Sequence, residues 1–143
     1  MTFSVAPVPI VVDASIAVDA IQGVPAASSA LARWVSDGRM LLTPAMFWPE
    51  VGHAMLKHRR PAVEVAGRIE LLEGMGLETA DRGPKGVIFA LALAERHRLS
   101  VYDATYLWLA IDIDGELATL DHALARAAVA EGVPLAFDAS LAV

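Results

Sequence analysis

The sequence predicts an α/β fold with a mostly parallel central sheet flanked by helices. Short apolar runs, often of β-branched residues, alternate along the chain with longer segments of helical periodicity, which is typical of strands joined by crossover helices. The runs are apolar throughout, as expected for strands that are buried on both faces. A length of 143 residues indicates one domain with a sizeable core, and no internal repeat interrupts it.

In the first part of the chain, glycine and proline separate the predicted elements. Gly23 and Pro25 interrupt the first helix and Gly38 ends the second, because neither residue type readily continues a helix. A serine is expected to cap the second helix, since its hydroxyl accepts a free backbone N–H group. After an irregular lead-in, the predicted elements are a strand at 9–12, a helix at 14–21, a helix from Ser28 or Ser29 to 37, and a strand at 40–43.

The middle of the chain is predicted to be mainly helical. Pro44 opens a helix at a position where proline is tolerated, and Pro49 either starts that helix properly or kinks it. Val65, Ile69 and Leu72 then repeat at the spacing of one apolar helical face. The predicted elements are a helix through residue 56, a helix from 61 to the glycines at 74 and 76, a short edge strand at 77–79 and a turn at 81–84.

The last part of the chain returns to alternating helices and strands. Its most apolar helix is predicted to follow Asp103 directly, and Gly132 closes the final helix. The tail at 138–143 carries no predicted role. The predicted elements are a helix at 86–97, a helix at 104–111, a turn at 112–115, a strand at 116–120, a helix at 122–131 and a strand at 133–137.

Composition narrows the classes of protein. Hydrophobic residues make up 56% of the chain, yet no apolar run is long enough to cross a bilayer, so we expect no membrane span and instead an oligomer or a tightly bound partner. The absence of cysteine and of a signal-peptide pattern at the N-terminus favours the cytoplasm. The net charge of −6 argues against a broad basic face, and the basic cluster at 57–60 is interpreted as a solvated helix end.

Four acidic residues stand where predicted strands and helices meet. Asp13 ends the first strand, Glu50 lies near the start of a helix after the second, Asp103 precedes the apolar helix, and Asp121 follows a later strand. Taken singly, each of these acids could also be a helix cap or a surface charge with no role in a site. The carboxyl ends of parallel strands share one edge of a sheet, so we expect the four side chains to converge there.

Converging carboxylates repel one another unless a cation or a proton neutralises them. Oxygen-only ligands suit Mg²⁺ or Mn²⁺, and one or two such ions promote phosphodiester hydrolysis by activating water and stabilising the leaving oxygen. Ser15 and Thr119 are placed to hydrogen-bond a carboxylate or water in such a site. The sequence therefore predicts a metal site at this edge.

Taken in order, four short motifs resemble the PIN-domain family, and most of all the VapC-type toxins of bacterial toxin–antitoxin pairs. The motifs are Val-Val-Asp-Ala-Ser at 11–15, Pro-Glu-Val at 49–51, Tyr-Asp-Ala at 102–104 and Thr-Leu-Asp at 119–121. The resemblance covers nearly the whole chain, so residues 1–143 are expected to form a single PIN-like ribonuclease domain.

The resemblance implies a Mg²⁺- or Mn²⁺-dependent endoribonuclease that acts as the toxin of a type II toxin–antitoxin system. It implies an RNA substrate, a homodimer and a cognate VapB-type antitoxin. The residues it assigns to the catalytic metal site are Asp13, Glu50, Asp103 and Asp121, with Ser15 and Thr119 as polar supports. One departure is His53, where toxins of this group often have asparagine.

Two other classes of function remain open at the level of sequence. Receiver domains and haloacid-dehalogenase-like phosphatases also use an aspartate after the first strand, but here Ser15 stands where the phosphatase has a second aspartate. The receiver's neighbouring acidic pair and late strand-end lysine do not appear either. The other class is a non-catalytic interaction module whose acids hold a structural cation.

Overall fold

The computed structural model describes residues 7–137, and the predictions for residues 1–6 and 138–143 lie outside this range. The described chain alternates short strands with longer helices, as the apolar runs predict. In chain order the elements are β1 (Ile10–Val12), α1 (Ala14–Ile21), α2 (Pro25–Ser36), β2 (Leu41–Thr43), α3 (Phe47–Lys57), α4 (Ala62–Gly74), β3 (Leu77–Thr79), α5 (Gly83–His97), α6 (Val101–Asp112), β4 (Glu116–Ala118) and α7 (His122–Ala130).

The four strands form one parallel sheet in the order β3-β2-β1-β4. β1 lies in the interior, with Ile10 opposite Leu41 of β2 and Val11 opposite Leu117 of β4. The edge position of β3 and the predicted α/β fold class are confirmed. Because every strand runs in the same direction, all the strand-to-helix junctions that leave the sheet lie at its carboxyl edge.

The fifth strand predicted at 133–137 is wrong as a strand. This segment makes only an isolated parallel bridge between Leu135 and Leu117, supported by hydrogen bonds from Leu117 N to Pro134 O and from Ala136 N to Leu117 O. Pro134 has no N–H group to donate to a longer ladder, which limits the pairing.

Several helices begin earlier than predicted, because their first turns tolerate residues that we treated as boundaries. Pro25 occupies the first turn of α2, where neither serine caps the helix. Pro49 lies within the first turn of α3, whose N–H groups need no intrahelical partner. Asp81 accepts a hydrogen bond from the Gly83 backbone at the start of α5.

The start of α6 differs from the prediction in the way that matters most for function: the helix begins at Val101 and not at residue 104. Ser100 is its N-cap and accepts a hydrogen bond from the backbone N–H of Asp103 at 3.0 Å. Asp103 therefore lies in the first turn of the helix rather than in front of it. The pairing of a serine with an acid three residues later is a helix-start signal that was present in the sequence.

The core surrounds β1 on both sides. Ile10, Val11 and Val12 are all fully buried, and since consecutive strand residues point to opposite faces, both faces of β1 must be covered. Against this strand packs α6, which contributes the fully buried Tyr106 and Leu107. The buried side of α6 fixes this helix relative to the strand edge.

α5 packs closely against α6. The Trp108 ring stacks on Phe89 with ring centroids 5.7 Å apart, and a Cβ atom at Gly86 would lie 3.1 Å from the Trp108 ring. Glycine at this position therefore allows the two helices to approach. Within residues 7–137, none of the helices combines the length and apolar composition that crossing a bilayer requires.

Candidate active site

The four acids predicted to converge line one cavity of about 380 Å³ at the carboxyl edge of the sheet. Asp13 leaves β1, Glu50 lies in the first turn of α3, Asp103 in the first turn of α6, and Asp121 caps α7 after β4. The described residues that line the cavity include no lysine, arginine or histidine. The structure thus brings the four carboxylates together, while their chemical roles stay a prediction.

Asp13 is the most buried of these acids, with 5% of its surface exposed. Its Oδ2 atom accepts hydrogen bonds from Ser15 Oγ at 2.8 Å and from Thr119 Oγ1 at 2.7 Å. Burial raises the pKa of Asp13 above its usual value, and the two hydroxyl donors partly offset that rise. Asp13 is therefore held in one orientation in an environment that penalises its charge.

The two hydroxyls also connect neighbouring strand ends. Ser15 Oγ accepts from the Leu120 backbone N–H at 3.1 Å, and Thr119 Oγ1 accepts from the Asp121 backbone N–H at 3.0 Å. Each hydroxyl donates to Asp13 while accepting from the segment after β4. Ser15 and Thr119 therefore tie the β1–α1 junction to the β4–α7 junction, while their role as supports of a metal site stays a prediction.

Glu50 approaches the cavity from α3 and is half-buried. The Tyr106 hydroxyl donates to its Oε1 atom at 3.4 Å. Burial, together with the negative charges of Asp13 and Asp103, raises the pKa of Glu50 to about 7, although the Tyr106 bond acts in the opposite direction. The side chain is thus poised between its charged and neutral forms near neutral pH.

Asp103 and Asp121 complete the cavity in different ways. Burial first, and then the charges of Asp13 and Asp121, raise the pKa of Asp103. Asp121 is exposed, and its Oδ1 atom accepts the backbone N–H groups of Ala123 and Leu124 at 2.8 and 3.1 Å. The helix-cap reading is thus correct for Asp121, which also lines the cavity.

One cavity residue escaped the sequence analysis. Asp19 lines the same cavity from α1, together with Ser15 and Val18. The signal was available, because positions three and four residues apart share one face of a helix and Ser15 was already assigned to the site.

The donor set of the cavity fits a hard divalent cation. All the candidate ligands are oxygens, and the repulsion among them is the kind that a cation relieves. Within residues 7–137, however, no three His, Asp or Glu side chains are placed to ligate one ion together. An ion here would take one or two carboxylates and complete its shell with water or phosphate oxygens, which is the usual pattern for Mg²⁺.

The fold and this edge define an α/β protein with an acidic cavity at the carboxyl ends of a parallel sheet. The chain belongs to the PIN domain family, whose model matches residues 10–130. The matched range includes all four acids and both supporting hydroxyl residues. No curated protein sequence matches the chain.

Solved structures share this fold at low sequence identity. The crystal structure of PAE2754 from Pyrobaculum aerophilum has a TM-score of 0.70 and 19% identity, covering 94% of this chain and 87% of that one. VapBC2 from Rickettsia felis, bound to a DNA fragment from its promoter, gives 0.69 and 17%, covering 88% and 96%. Mycobacterium tuberculosis VapC20, described as a toxin that cleaves the Sarcin-Ricin loop, gives 0.66 and 18%, covering 82% and 94%.

Proposed function

We propose that this PIN domain is an endoribonuclease and the toxin of a type II toxin–antitoxin system. The observation that carries the proposal is the convergence of four carboxylates in one cavity that no basic side chain of residues 7–137 lines. The similarity in fold to a toxin described as cleaving the Sarcin-Ricin loop supports RNA as the substrate. Because RNA and a bacterial antitoxin are cytoplasmic molecules, the proposal places the protein in the cytoplasm.

The proposed cofactor is Mg²⁺ or Mn²⁺, held by carboxylates from among Asp13, Glu50, Asp103 and Asp121. A bound divalent ion supplies the positive charge that phosphodiester hydrolysis requires at the attacked phosphate. The chain itself provides orientation: Ser15 and Thr119 hold the Asp13 carboxylate, and the capped first turn of α6 places Asp103 at the cavity.

The direct test is cleavage of a mixed pool of structured RNAs with Mg²⁺ or Mn²⁺. Asp13→Asn and Asp103→Asn should each abolish cutting while the fold survives, because each removes a charge from the cavity. Asp37→Asn, at the exposed end of α2, is the matched control and should cut like the wild type. Full activity in either cavity variant would refute the site assignment.

We also propose that the chain forms a homodimer through the exposed apolar face of α5. Val87, Ile88, Phe89 and Leu91 are all exposed large apolar side chains on this helix. Such a surface is costly in water unless a partner covers it. Light scattering should show a dimer for the wild type and a monomer for Ile88→Lys; a wild-type monomer at micromolar concentration would contradict the proposal.

The proposed protein partner is a VapB-type antitoxin. A similar fold occurs in the VapBC2 complex and in a toxin–antitoxin complex from Klebsiella pneumoniae, which supports a partner of this kind. The expected result is a stable complex with an antitoxin that suppresses RNA cleavage. Undiminished RNA cleavage in that complex would contradict the proposal that the antitoxin inhibits this protein.

The two alternatives make different predictions for the same cavity. Phosphorylation of Asp13 by a small phosphodonor would favour an aspartyl-phosphate function, but its burial and its two hydroxyl partners oppose nucleophilic attack. Metal binding without cleavage across many RNAs would favour the non-catalytic interaction module.

A further inference from the structure

The chain contains two tyrosines, and the structure gives them opposite environments. Tyr102 is 66% exposed at the start of α6, whereas Tyr106, one turn further along, is 0% exposed. The Tyr106 hydroxyl lies 3.4 Å from Glu50 Oε1 beneath the acidic cavity. The mechanism proposed above assigns no role to this buried polar group.

A buried hydroxyl needs a hydrogen-bond partner, and this one has its partner at the site. The hydroxyl donates to Glu50 Oε1 from α3, which contributes an acid to the cavity. A phenol carries its proton at neutral pH, so the Tyr106 hydroxyl is a hydrogen-bond donor to the carboxylate.

Glu50 needs such a donor because its carboxylate lies among other acids. Asp13 has two hydroxyl partners and Asp121 is fixed as a helix cap, whereas Glu50 has a longer and more flexible side chain. Asp13 and Asp103 repel its carboxylate. Without a partner, this repulsion would favour rotation of the carboxylate away from the cavity.

We propose that Tyr106 is a positioning residue that holds Glu50 Oε1, so that the other carboxylate oxygen faces the cavity and is free to ligate a cation. One helix then arranges two acids, since α6 carries Asp103 directly and orients Glu50 through a tyrosine three residues later on the same helix face. The inference rests on the proposed function, because it assumes that a cation binds at these acids.

The test measures Mn²⁺ binding by calorimetry, without RNA and without a cleavage readout. Tyr106→Phe removes one oxygen and keeps the ring that fills the core. We expect its Mn²⁺ affinity to fall by about 10-fold, the lower end of the effect of removing a hydrogen bond that orients a ligand. Tyr102→Phe removes the same atom at the exposed tyrosine and should bind Mn²⁺ as the wild type does.

A double-mutant cycle separates positioning from a general structural effect. In a Glu50→Gln background, Tyr106→Phe should change the Mn²⁺ affinity by less than about twofold, because the group through which it acts is already altered. An equal loss in both backgrounds would overturn the proposal, as would an unchanged affinity in the single variant. If Tyr106→Phe does not fold, Tyr106→Met provides an apolar replacement for the same comparison.

The same measurements distinguish this inference from the proposed function. Wild-type protein that binds Mn²⁺ and cuts RNA, with Tyr106→Phe indistinguishable from it, refutes only the role of Tyr106. Wild-type protein that neither binds Mn²⁺ nor cuts RNA refutes both, because no cation is then present for Glu50 to ligate.

Discussion

Two groups of carboxylates in this protein have opposite surroundings. At the end of α7, Glu131 contacts two side chains from the end of α5, with Arg96 Nη1 at 2.9 Å and His97 Nε2 at 2.7 Å from its Oε2 atom. The hydrogen bonds from His97 and Arg96 hold the pKa of Glu131 below its usual value. At the carboxyl edge of the sheet, burial and neighbouring acids raise the pKa values of Asp13, Glu50 and Asp103 instead.

The difference indicates what each group is for. The contacts of Glu131 with Arg96 and His97 join the end of α5 to the end of α7. The attraction between Glu131 and Arg96 stabilises the protein. The acids of the cavity destabilise the protein when they are all charged, because repulsion and lost hydration both oppose ionisation. A fold that retains such a cluster without paired cationic side chains is expected to bind a cation there.

The largest difference in RNA cleavage should be seen when one glutamate of each group is replaced by glutamine. Glu50→Gln should lower metal-dependent RNA cleavage by about 100-fold or more, because it removes a charged oxygen from the candidate metal site. Glu131→Gln makes the same chemical change in the other group and should leave the cleavage rate within about twofold. Equal losses in the two variants, measured as kcat/KM, would mean that the cavity has no special role.

A smaller effect is expected from the hydroxyls that orient Asp13. Thr119→Val keeps the shape of the buried side chain and removes the 2.7 Å hydrogen bond to Oδ2. We expect Mn²⁺ affinity and cleavage to fall by about 10-fold. Thr43→Val, which removes a buried threonine hydroxyl bonded to the Val12 carbonyl, is the matched control. If both variants lose activity equally, the effect is one of stability rather than orientation.

The features of the acidic cavity that depend on local sequence pattern could be predicted from the sequence. The apolar run before Asp13 predicted a strand end, and the parallel sheet that follows from alternating strands and helices predicted that the acids would share an edge. Ser100 and Asp103 also carried a readable helix-start signal, which our boundary at residue 104 overlooked.

The rest depends on contacts between residues that are distant in sequence. Tyr106 meets Glu50 across 56 positions, and His97 meets Glu131 across 34. Both tyrosine and histidine fitted their own helices without these partners, so no local pattern indicated the pairing. The limited pairing at 133–137 likewise depends on Pro134 lying beside β4, where a missing N–H group shortens the ladder.

The two groups should also contribute differently to the pH dependence of stability, which can be measured without any mutation. The folded-state pKa of Glu50, about 7, exceeds its usual value of 4.5, so between these values the folded protein binds more protons than the unfolded chain. Its free energy of unfolding should therefore fall as the pH rises through that window, and the raised pKa values of Asp13 and Asp103 act in the same direction.

The measurement is the melting temperature in a chelator from pH 5 to pH 8, repeated with excess Mg²⁺. We expect a decline of several degrees in the chelator and a smaller decline with Mg²⁺, because a bound cation favours the charged acids. Glu131 has the opposite sign and a lower window, since its lowered pKa makes its contribution disappear only as the pH falls below the usual glutamate range. A flat profile in the chelator would contradict the crowding of charge in the cavity.

The smallest expected effect is on the melting temperature of two single variants, measured at pH 8 in a chelator. Asp103→Asn should melt no lower than the wild type, because it relieves repulsion from Asp13 and Asp121. Glu131→Gln should melt about 1–3 °C lower, as expected for a partly exposed ion pair in a chain of this size. A clear loss of stability in Asp103→Asn would show that this acid serves the fold, and the contrast between the two groups would no longer indicate function.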